Sequence, residues 1–394
     1  MKVAVSFLSI ALTFSVLTQL RQSCLCAQAL DTAQTVRSQF RFDESRGCVD
    51  ESGMQGYNAH FRGPCGNLEG ENLRDIDLHN KSLAGARLAG ADLTHANLKN
   101  TDLHEADLSQ TNLDAADFQE ANLTRANLKG SRLYGTNLHK ANLTGTDFTQ
   151  ADIRKLEMRN AILNRTCFRG ARFFQVNLGS VDLAGLDLEG ADLAWSNLNK
   201  AKLARANLSG GFHDRTDFSE ANLDQVDFKS SKLLYANFCG STLRSAQLQK
   251  VELLHARLVR AIMTDADFSD TSLIDTDLSG ADLSKAKLCG ANLMNAKLKG
   301  SNLRMADLSG TILFGTDFEK ADLRGAKLEG AQFGEKGKTI FLSEVETTFL
   351  PTRLNGAKFD ESTVLPFDRN ESVSRGMIEI LEKTKRSSTE SRQP

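Results

Sequence analysis

An apolar residue recurs at every fifth position from Leu68 to Phe333. Of these fifty-four positions, forty are Leu, ten Phe, two Met, one Ile and one is His213. A helix needs apolar residues three and four positions apart, and a half-buried strand needs them at alternate positions. A period of five held over 266 residues fits neither element, so it predicts a coil built from short internal repeats.

The residue two places before each apolar centre is small. Between Ala86 and Ala331 there are fifty such positions: twenty-eight Ala, fifteen Ser or Thr, four Val, one Gly and two Leu. A typical copy is Ala-Asp-Leu-Thr-His at 91–95. Large side chains can stack inside a narrow coil only if the other inward positions are small, which predicts one large and one small inward residue per pentad. The Asp or Asn before many centres is expected to hydrogen-bond the backbone at a corner.

This pattern resembles the A(D/N)LXX motif of the pentapeptide-repeat family and covers about two thirds of the chain. The resemblance implies an all-β fold, a right-handed quadrilateral β-helix with four pentads per coil. At about 4.8 Å between paired backbones, the repeat region 66–333 would form about thirteen and a half coils and a rod roughly 65 Å long. The chain is thus expected to be a solenoid with a short C-terminal α-helix.

The first 29 residues have the features of a signal peptide. Lys2 supplies a positive start, residues 3–20 are mostly apolar or small, and Ala-Gln-Ala at 27–29 matches a cleavage site. We therefore predict export to the periplasm, the exterior or an organelle lumen. The alternatives are an uncleaved membrane anchor and a lipoprotein attached at Cys24 or Cys26.

Cleavage would leave five cysteines in an oxidising compartment. Cys48 and Cys65 bracket a polar loop in the segment 30–65, which we expect to cap the first coil. We predict a disulfide between them, which would stabilise the fold by roughly 3 kcal/mol through loop closure. Cys167, Cys239 and Cys289 lie far apart with no CxxC spacing, so no metal site is predicted.

The repeat is least regular between Ile153 and Leu188, where Leu156, Val176, Val181 and Leu186 replace small residues. One interpretation is a wider stretch of core, with or without a bend. The other is an interaction patch for an acidic partner or an anionic surface, because basic residues accumulate in the same segment. Those candidate residues are Arg154, Lys155, Arg159, Arg165, Arg169 and Arg172.

A second irregularity is Gly-Gly-Phe-His at 210–213, which puts His213 at an apolar centre. A buried imidazole is costly unless its polar atoms are satisfied. We expect the glycines to allow a bulge that turns Phe212 into the interior in place of His213. A catalytic or metal-binding role for this histidine is the weaker alternative.

The register breaks at Gly334, and an insertion with out-of-phase terminal repeats is predicted over 334–370. These repeats have their centres at Phe349, Leu354, Phe359 and Val364. A helix is expected over 371–384, from about Ser372 to Lys383, and a disordered tail over 385–394. The helix would cap the open end of the solenoid or form a homodimer contact.

The function predicted from these features is an exported, non-enzymatic scaffold that binds a protein partner or an envelope surface. No cofactor, metal or nucleic acid is expected. The first alternative is a DNA mimic that binds gyrase or topoisomerase, as some relatives do. It is disfavoured because 35 acidic and 32 basic residues over 66–333 fall far short of the charge density of a duplex. The second alternative, a β-helix enzyme, has no catalytic constellation or long loops to support it.

Overall fold

The computed structural model describes residues 68–334, 339–342, 345–348 and 351–379. The chain divides after Phe212 into two compact units, which are treated separately below. The predicted signal peptide, the cap segment with Cys48 and Cys65, and the tail 385–394 lie outside the described residues. Within the described parts, no helix is long and apolar enough to cross a bilayer.

Each pentad has the same backbone conformation. Its second residue forms a parallel bridge, and its fourth and fifth residues form a turn. At every fifth position from Gly70 to Gly330 the φ angle is positive, between 53° and 71°. This left-handed conformation costs a residue with a Cβ roughly 1–2 kcal/mol. Even Trp195 and Tyr235 adopt it, so the corner is imposed by the surrounding coils and not by local preference.

Bridges join residues twenty positions apart, such as Asp92 to Asn112 in the first unit and Glu252 to Ser272 in the second. Four pentads therefore complete one coil, and the fold is the predicted right-handed quadrilateral β-helix. We number the four faces by the apolar centres of the first coil, Leu68, Leu73, Leu78 and Leu83. A residue and its neighbour twenty positions later lie on the same face of their unit, and in the second unit faces 1 to 4 are those with the centres Phe228, His213, Phe218 and Leu223.

The coil satisfies its own backbone polar groups. The N–H of Leu93 donates to the carbonyl of Asn112 in the next coil at 2.8 Å. In many pentads the N–H of the fourth residue donates instead to the side chain two residues before it. Thr94, for example, donates its N–H to the Asp92 carboxylate at 3.1 Å. The predicted corner role of Asp and Asn is confirmed.

The core is a stack of the predicted apolar centres. Those from Leu88 to Ile153 are fully enclosed, with Leu93 and Phe118 at 0% exposure. Small first-position residues fill the space between them. Where that residue is Thr or Ser, its hydroxyl is satisfied, as when Thr101 donates to the carbonyl of Leu78 at 2.9 Å. Each buried Leu or Phe contributes about 1.5–3 kcal/mol gross.

The irregular segment of the first unit keeps its large residues in the core. Leu156, Val176 and Leu186 are all buried, and Phe168 stacks on Phe148 with ring centroids 5.2 Å apart. In the described structure, Glu157 bridges to the coil before it. No bridge joins Glu157 to the coil after it, because large residues at small positions separate these two coils locally.

The expectation for residues 210–213 is wrong. His213 occupies the interior with 0% exposure, and Phe212 points outward with 48% of its surface exposed. The glycines form no bulge, because the register is held by bonds along the coil. The N–H of His213 donates to the carbonyl of Lys232 at 2.8 Å, and Arg215 keeps the corner conformation with φ of 57°.

Among the described residues, the longer regular elements lie towards the end of the second unit. Strand β1 (Ile312–Leu313) pairs in parallel with β2 (Gln332–Phe333), and β3 (Thr339–Leu342) forms an antiparallel hairpin with β4 (Val345–Thr348). The coil then resumes, because Arg353 bridges to Asp317. Strand β5 (Lys358–Phe359) pairs in parallel with β6 (Ile378–Glu379).

Two details of the predicted terminus need correction. Leu354 and Phe359 are buried centres, but Val364 is 45% exposed and Thr363 is buried in its place. The last pentad therefore departs from the predicted inward position. The helix α1 spans Arg369–Ser374, and the predicted helix is absent at 375–379, while 380–384 lie outside the described residues. Asp368 caps α1 by accepting the N–H of Glu371, and the chain then returns to strand β6.

Candidate protein-interaction face

The six predicted basic residues do not form one cluster. They follow one another along almost one full coil, so successive pentads place them on different faces of the solenoid. Their places are face 2 for Arg154 and Lys155, face 3 for Arg159, face 4 for Arg165, face 1 for Arg169 and face 2 of the next coil for Arg172.

Two of these arginines are neutralised by neighbouring carboxylates. Arg154 donates to both oxygens of Asp152, at 2.7 and 2.6 Å, and this carboxylate raises the pKa of Arg154. Partial burial alone would lower the pKa of Arg169, but the carboxylates of Asp187 and Glu189 raise it. Their oxygens lie 3.3 and 2.6 Å from its guanidinium. Neither arginine presents an unbalanced charge.

Two of the other basic residues, Lys155 and Arg165, lie in different surroundings. The ammonium of Lys155 lies 5.1 Å from the centre of the Tyr134 ring. Arg165 lines a shallow open groove of about 420 Å³ on face 4, together with Arg125 and Gly145. The groove also contains Glu105, whose carboxylate lies 3.3 Å from Arg125. It is therefore a mixed surface and not a basic one.

A more distinctive feature lies on face 2 of the second unit. The fourth residue of five successive pentads on this face is a large apolar residue, and these five residues stack one coil above another. We call this set the apolar column; it comprises Leu234, Leu254, Ile274, Met294 and Phe314. The first four are half-buried, and Phe314 is 8% exposed.

A ladder of rings and charges borders the apolar column at the fifth pentad position. The guanidinium of Arg215 lies 4.7 Å from the centre of the Tyr235 ring. That ring stacks on His255 at 4.9 Å with 22° between the planes. The imidazole of His255 lies 3.9 Å from the carboxylate of Asp275. The ladder is therefore basic at one end and acidic at the other.

Folding does not require apolar residues at these outward positions. In the first unit, the same position of face 2 is mostly polar or charged, with Arg74, Thr94 and Asp114 in three successive coils. These coils have the same bridges and the same corner conformation. The apolar column thus exceeds what the solenoid needs, and apolar surface of this kind marks interaction sites.

Two family models match the coil region. A model described as pentapeptide repeats matches residues 72–110, 111–150, 141–179, 243–280, 252–290, 276–315 and 291–330. A second, described as a pentapeptide repeat region, matches residues 181–258. The chain belongs to the pentapeptide-repeat family.

Solved structures of other pentapeptide-repeat proteins resemble the chain. HetL from Nostoc sp. strain PCC 7120, involved in heterocyst differentiation regulation, is 25% identical over 68% of this chain and 88% of its own, with a TM-score of 0.15. The plasmid-mediated fluoroquinolone resistance protein QnrB1 is 20% identical over 48% of this chain and 92% of its own, with a TM-score of 0.23. A pentapeptide-repeat protein of the Arabidopsis thaliana thylakoid lumen is 31% identical over 29% of this chain and 65% of its own, with a TM-score of 0.16. No curated protein matches the chain.

Within this pentapeptide-repeat protein, three cysteines fall in the described residues. Cys167 is buried, and Cys239 and Cys289 are half-buried on faces 3 and 1. Burial and a hydrogen bond with Asp307 raise the pKa of the Cys289 thiol, which therefore stays protonated and unreactive at neutral pH. In the described part of the chain, no group of three His, Cys, Asp or Glu residues could hold a metal ion.

Proposed function

We propose that this pentapeptide-repeat protein is an exported, non-enzymatic scaffold that binds a protein partner on face 2 of its second unit. The observation that carries the proposal is the apolar column, in which four half-buried side chains and the buried Phe314 stack at the outward fourth position of pentads whose centres already fill the core. Burying the exposed part of the four half-buried side chains in an interface is favourable at about 25 cal/mol per Å². Export rests on the signal-like residues 1–29.

The ladder beside the apolar column supports the same proposal. Aromatic residues and arginine are enriched in the centres of protein interfaces, and Tyr235 is 47% exposed between Arg215 and His255. Each ring in the ladder is held by the ring or charge next to it. A partner would therefore meet a preorganised surface, which lowers the entropy cost of association.

The charge distribution does not favour the DNA-mimic alternative. Several acidic residues on the coil surface are paired with basic residues of neighbouring coils, as in Asp117 with Lys99 at 3.1 Å and Asp114 with Arg132 at 2.7 Å. Such pairing cancels the continuous negative potential that a duplex mimic needs. Dose-dependent inhibition in a gyrase supercoiling assay would support the alternative.

The decisive experiment compares two lysine substitutions at the same pentad position. Leu254→Lys places a charge in the apolar column, and Ser284→Lys is the matched control on face 4, where the native residue is polar. Full-length variants expressed in the native host are crosslinked, and the species joined to each is compared by mass spectrometry. We expect a specific adduct to survive Ser284→Lys and to disappear with Leu254→Lys. If the Leu254→Lys variant still forms the adduct, the partner does not bind on face 2.

A further inference from the structure

The backbone beside the apolar column is already paired. The carbonyl of each residue in the column accepts a hydrogen bond from the fifth-position N–H one coil earlier, at distances between 2.8 and 3.1 Å. The donors are Arg215, Tyr235, His255, Asp275 and Asn295, in the order of the column. Face 2 is therefore not an open strand edge, and a partner in extended conformation would gain no ladder of backbone hydrogen bonds from it.

An extended partner would also bury its own unpaired N–H and C=O groups against apolar side chains, which is costly. An α-helix satisfies its backbone internally and needs only an apolar stripe to bury. The apolar column is itself one stripe, with Lys232 and Glu252 on one side and Tyr235 and His255 on the other. A single apolar stripe between polar borders is what the apolar face of one amphipathic helix would cover.

From these observations we infer that the partner presents an amphipathic α-helix along the apolar column. The inference rests on the proposed function and specifies the conformation of the partner. Five rungs at about 4.8 Å give a column about 19 Å long, which a helix of about thirteen residues would cover. The helical pitch of about 5.4 Å differs from the coil spacing by about 0.6 Å per turn, which adds up to only about 2 Å over the length of the column.

The charges of the ladder give the helix a direction. Arg215 lies at the end of the column near Leu234, and Asp275 lies beside Ile274. Complementary charges fix the register of a partner more than they add affinity. We therefore expect an acidic residue of the partner helix near Arg215 and a basic residue about two turns away, near Asp275.

Site-specific photocrosslinking tests the inference directly. Benzoylphenylalanine is placed singly at positions 234, 254, 274 and 294 of the full-length protein in its native host, and the partner residue joined to each is identified. A helix along the column advances about three residues for each coil of about 4.8 Å, whereas an extended strand advances about one and a half. The spacing of the crosslinked residues therefore reports the conformation of the partner.

The outcomes separate the two proposals. Crosslinks spaced about three residues per coil support the helix. A spacing of one or two residues overturns the helix but leaves the scaffold function intact, and so do crosslinks that show no order. Crosslinks to a second copy of this protein, or to residues 335–350 of the same chain, would show that the apolar column is not covered by a helix of another protein, and would overturn the inference. No crosslink from any of the four positions, with melting temperatures unchanged from the native protein, overturns both the helix and the proposed function.

Discussion

The carbonyl of Leu254 accepts the backbone N–H of Tyr235 at 3.0 Å, one coil earlier in the chain. This bond links the apolar column to the ring ladder, because it joins the backbone of Leu254 to the backbone of Tyr235. The backbone that carries this surface is thus part of the hydrogen-bonded coil. A mutation of its side chains should alter binding while leaving the fold in place.

The neighbours Leu233 and Leu234 test this separation of core from surface. Leu233 is an apolar centre with 0% exposure, and Leu234 is a half-buried member of the apolar column. Leu233→Ala should lower the free energy of unfolding by about 2–5 kcal/mol, because it leaves a cavity in the core. Leu234→Ala should lower it by less than about 1 kcal/mol. Urea unfolding followed by circular dichroism measures both, and equal losses would contradict the assignment of Leu234 to the surface.

The five-residue period identified nearly all of the core, because every pentad uses the same position for its large inward residue. The prediction failed at His213, where the polarity of one side chain was given more weight than the five-residue period. The register prevails because neighbouring coils hold it on both sides of the pentad, as the bond from His213 to Lys232 shows. A single residue cannot shift a pattern that its neighbours repeat.

The candidate site was harder to predict from the sequence. Arg154 to Arg172 are close in sequence, but a coil of four pentads places sequence neighbours on different faces. Conversely, Leu254 and Ile274 are twenty residues apart and become neighbours only once the coil is formed. The signal was present as an apolar residue directly after the centre, as in Leu233-Leu234 and Leu253-Leu254. Aligning the sequence in blocks of twenty would have revealed it.

His213 offers a prediction of increased stability. Its imidazole is enclosed by aromatic side chains, with ring centroids 6.3 Å from Phe218 and 5.8 Å from Phe228. The other centres of face 2 in this unit, such as Leu233, are apolar. His213→Leu should therefore raise the melting temperature by several degrees, since about 1 kcal/mol shifts it by roughly 2–4 °C in a protein of this size. Differential scanning calorimetry gives the result, and a lower melting temperature would show that hydrogen bonding by the imidazole outweighs its cost of burial.

The left-handed corners give a second stability prediction. Ala115 has φ of 56°, a conformation that costs a residue with a Cβ but not glycine. Ala115→Gly should stabilise the fold by about 0.5–1 kcal/mol, after the entropy gained by the unfolded chain is subtracted. Ala116→Gly is the matched control. That residue is buried in a small inward position, so its substitution should destabilise. Denaturant midpoints that fall in both variants would refute the strain argument.

The corner aspartates predict a fold that weakens in acid. The Thr94 hydroxyl and N–H hold the pKa of Asp92 below its usual range. At Asp267, burial opposes the shift, but the hydroxyl and N–H of Ser269 lower its pKa nonetheless. A carboxyl whose pKa is lower in the folded state stabilises the fold fully above the unfolded pKa, near 3.9. That stability is lost as the pH falls through the folded pKa.

The melting temperature should therefore vary little above about pH 5 and fall below about pH 4. Asparagine keeps the corner hydrogen bond without titrating, as Asn122 shows by accepting the N–H and hydroxyl of Thr124 at 3.2 and 2.6 Å. A combined Asp92→Asn and Asp267→Asn variant should lose less stability between pH 6 and pH 3 than the native protein. Thermal melts across this range decide the matter. Parallel curves for the two proteins would mean that carboxylates elsewhere, and not the corners, govern the acid response.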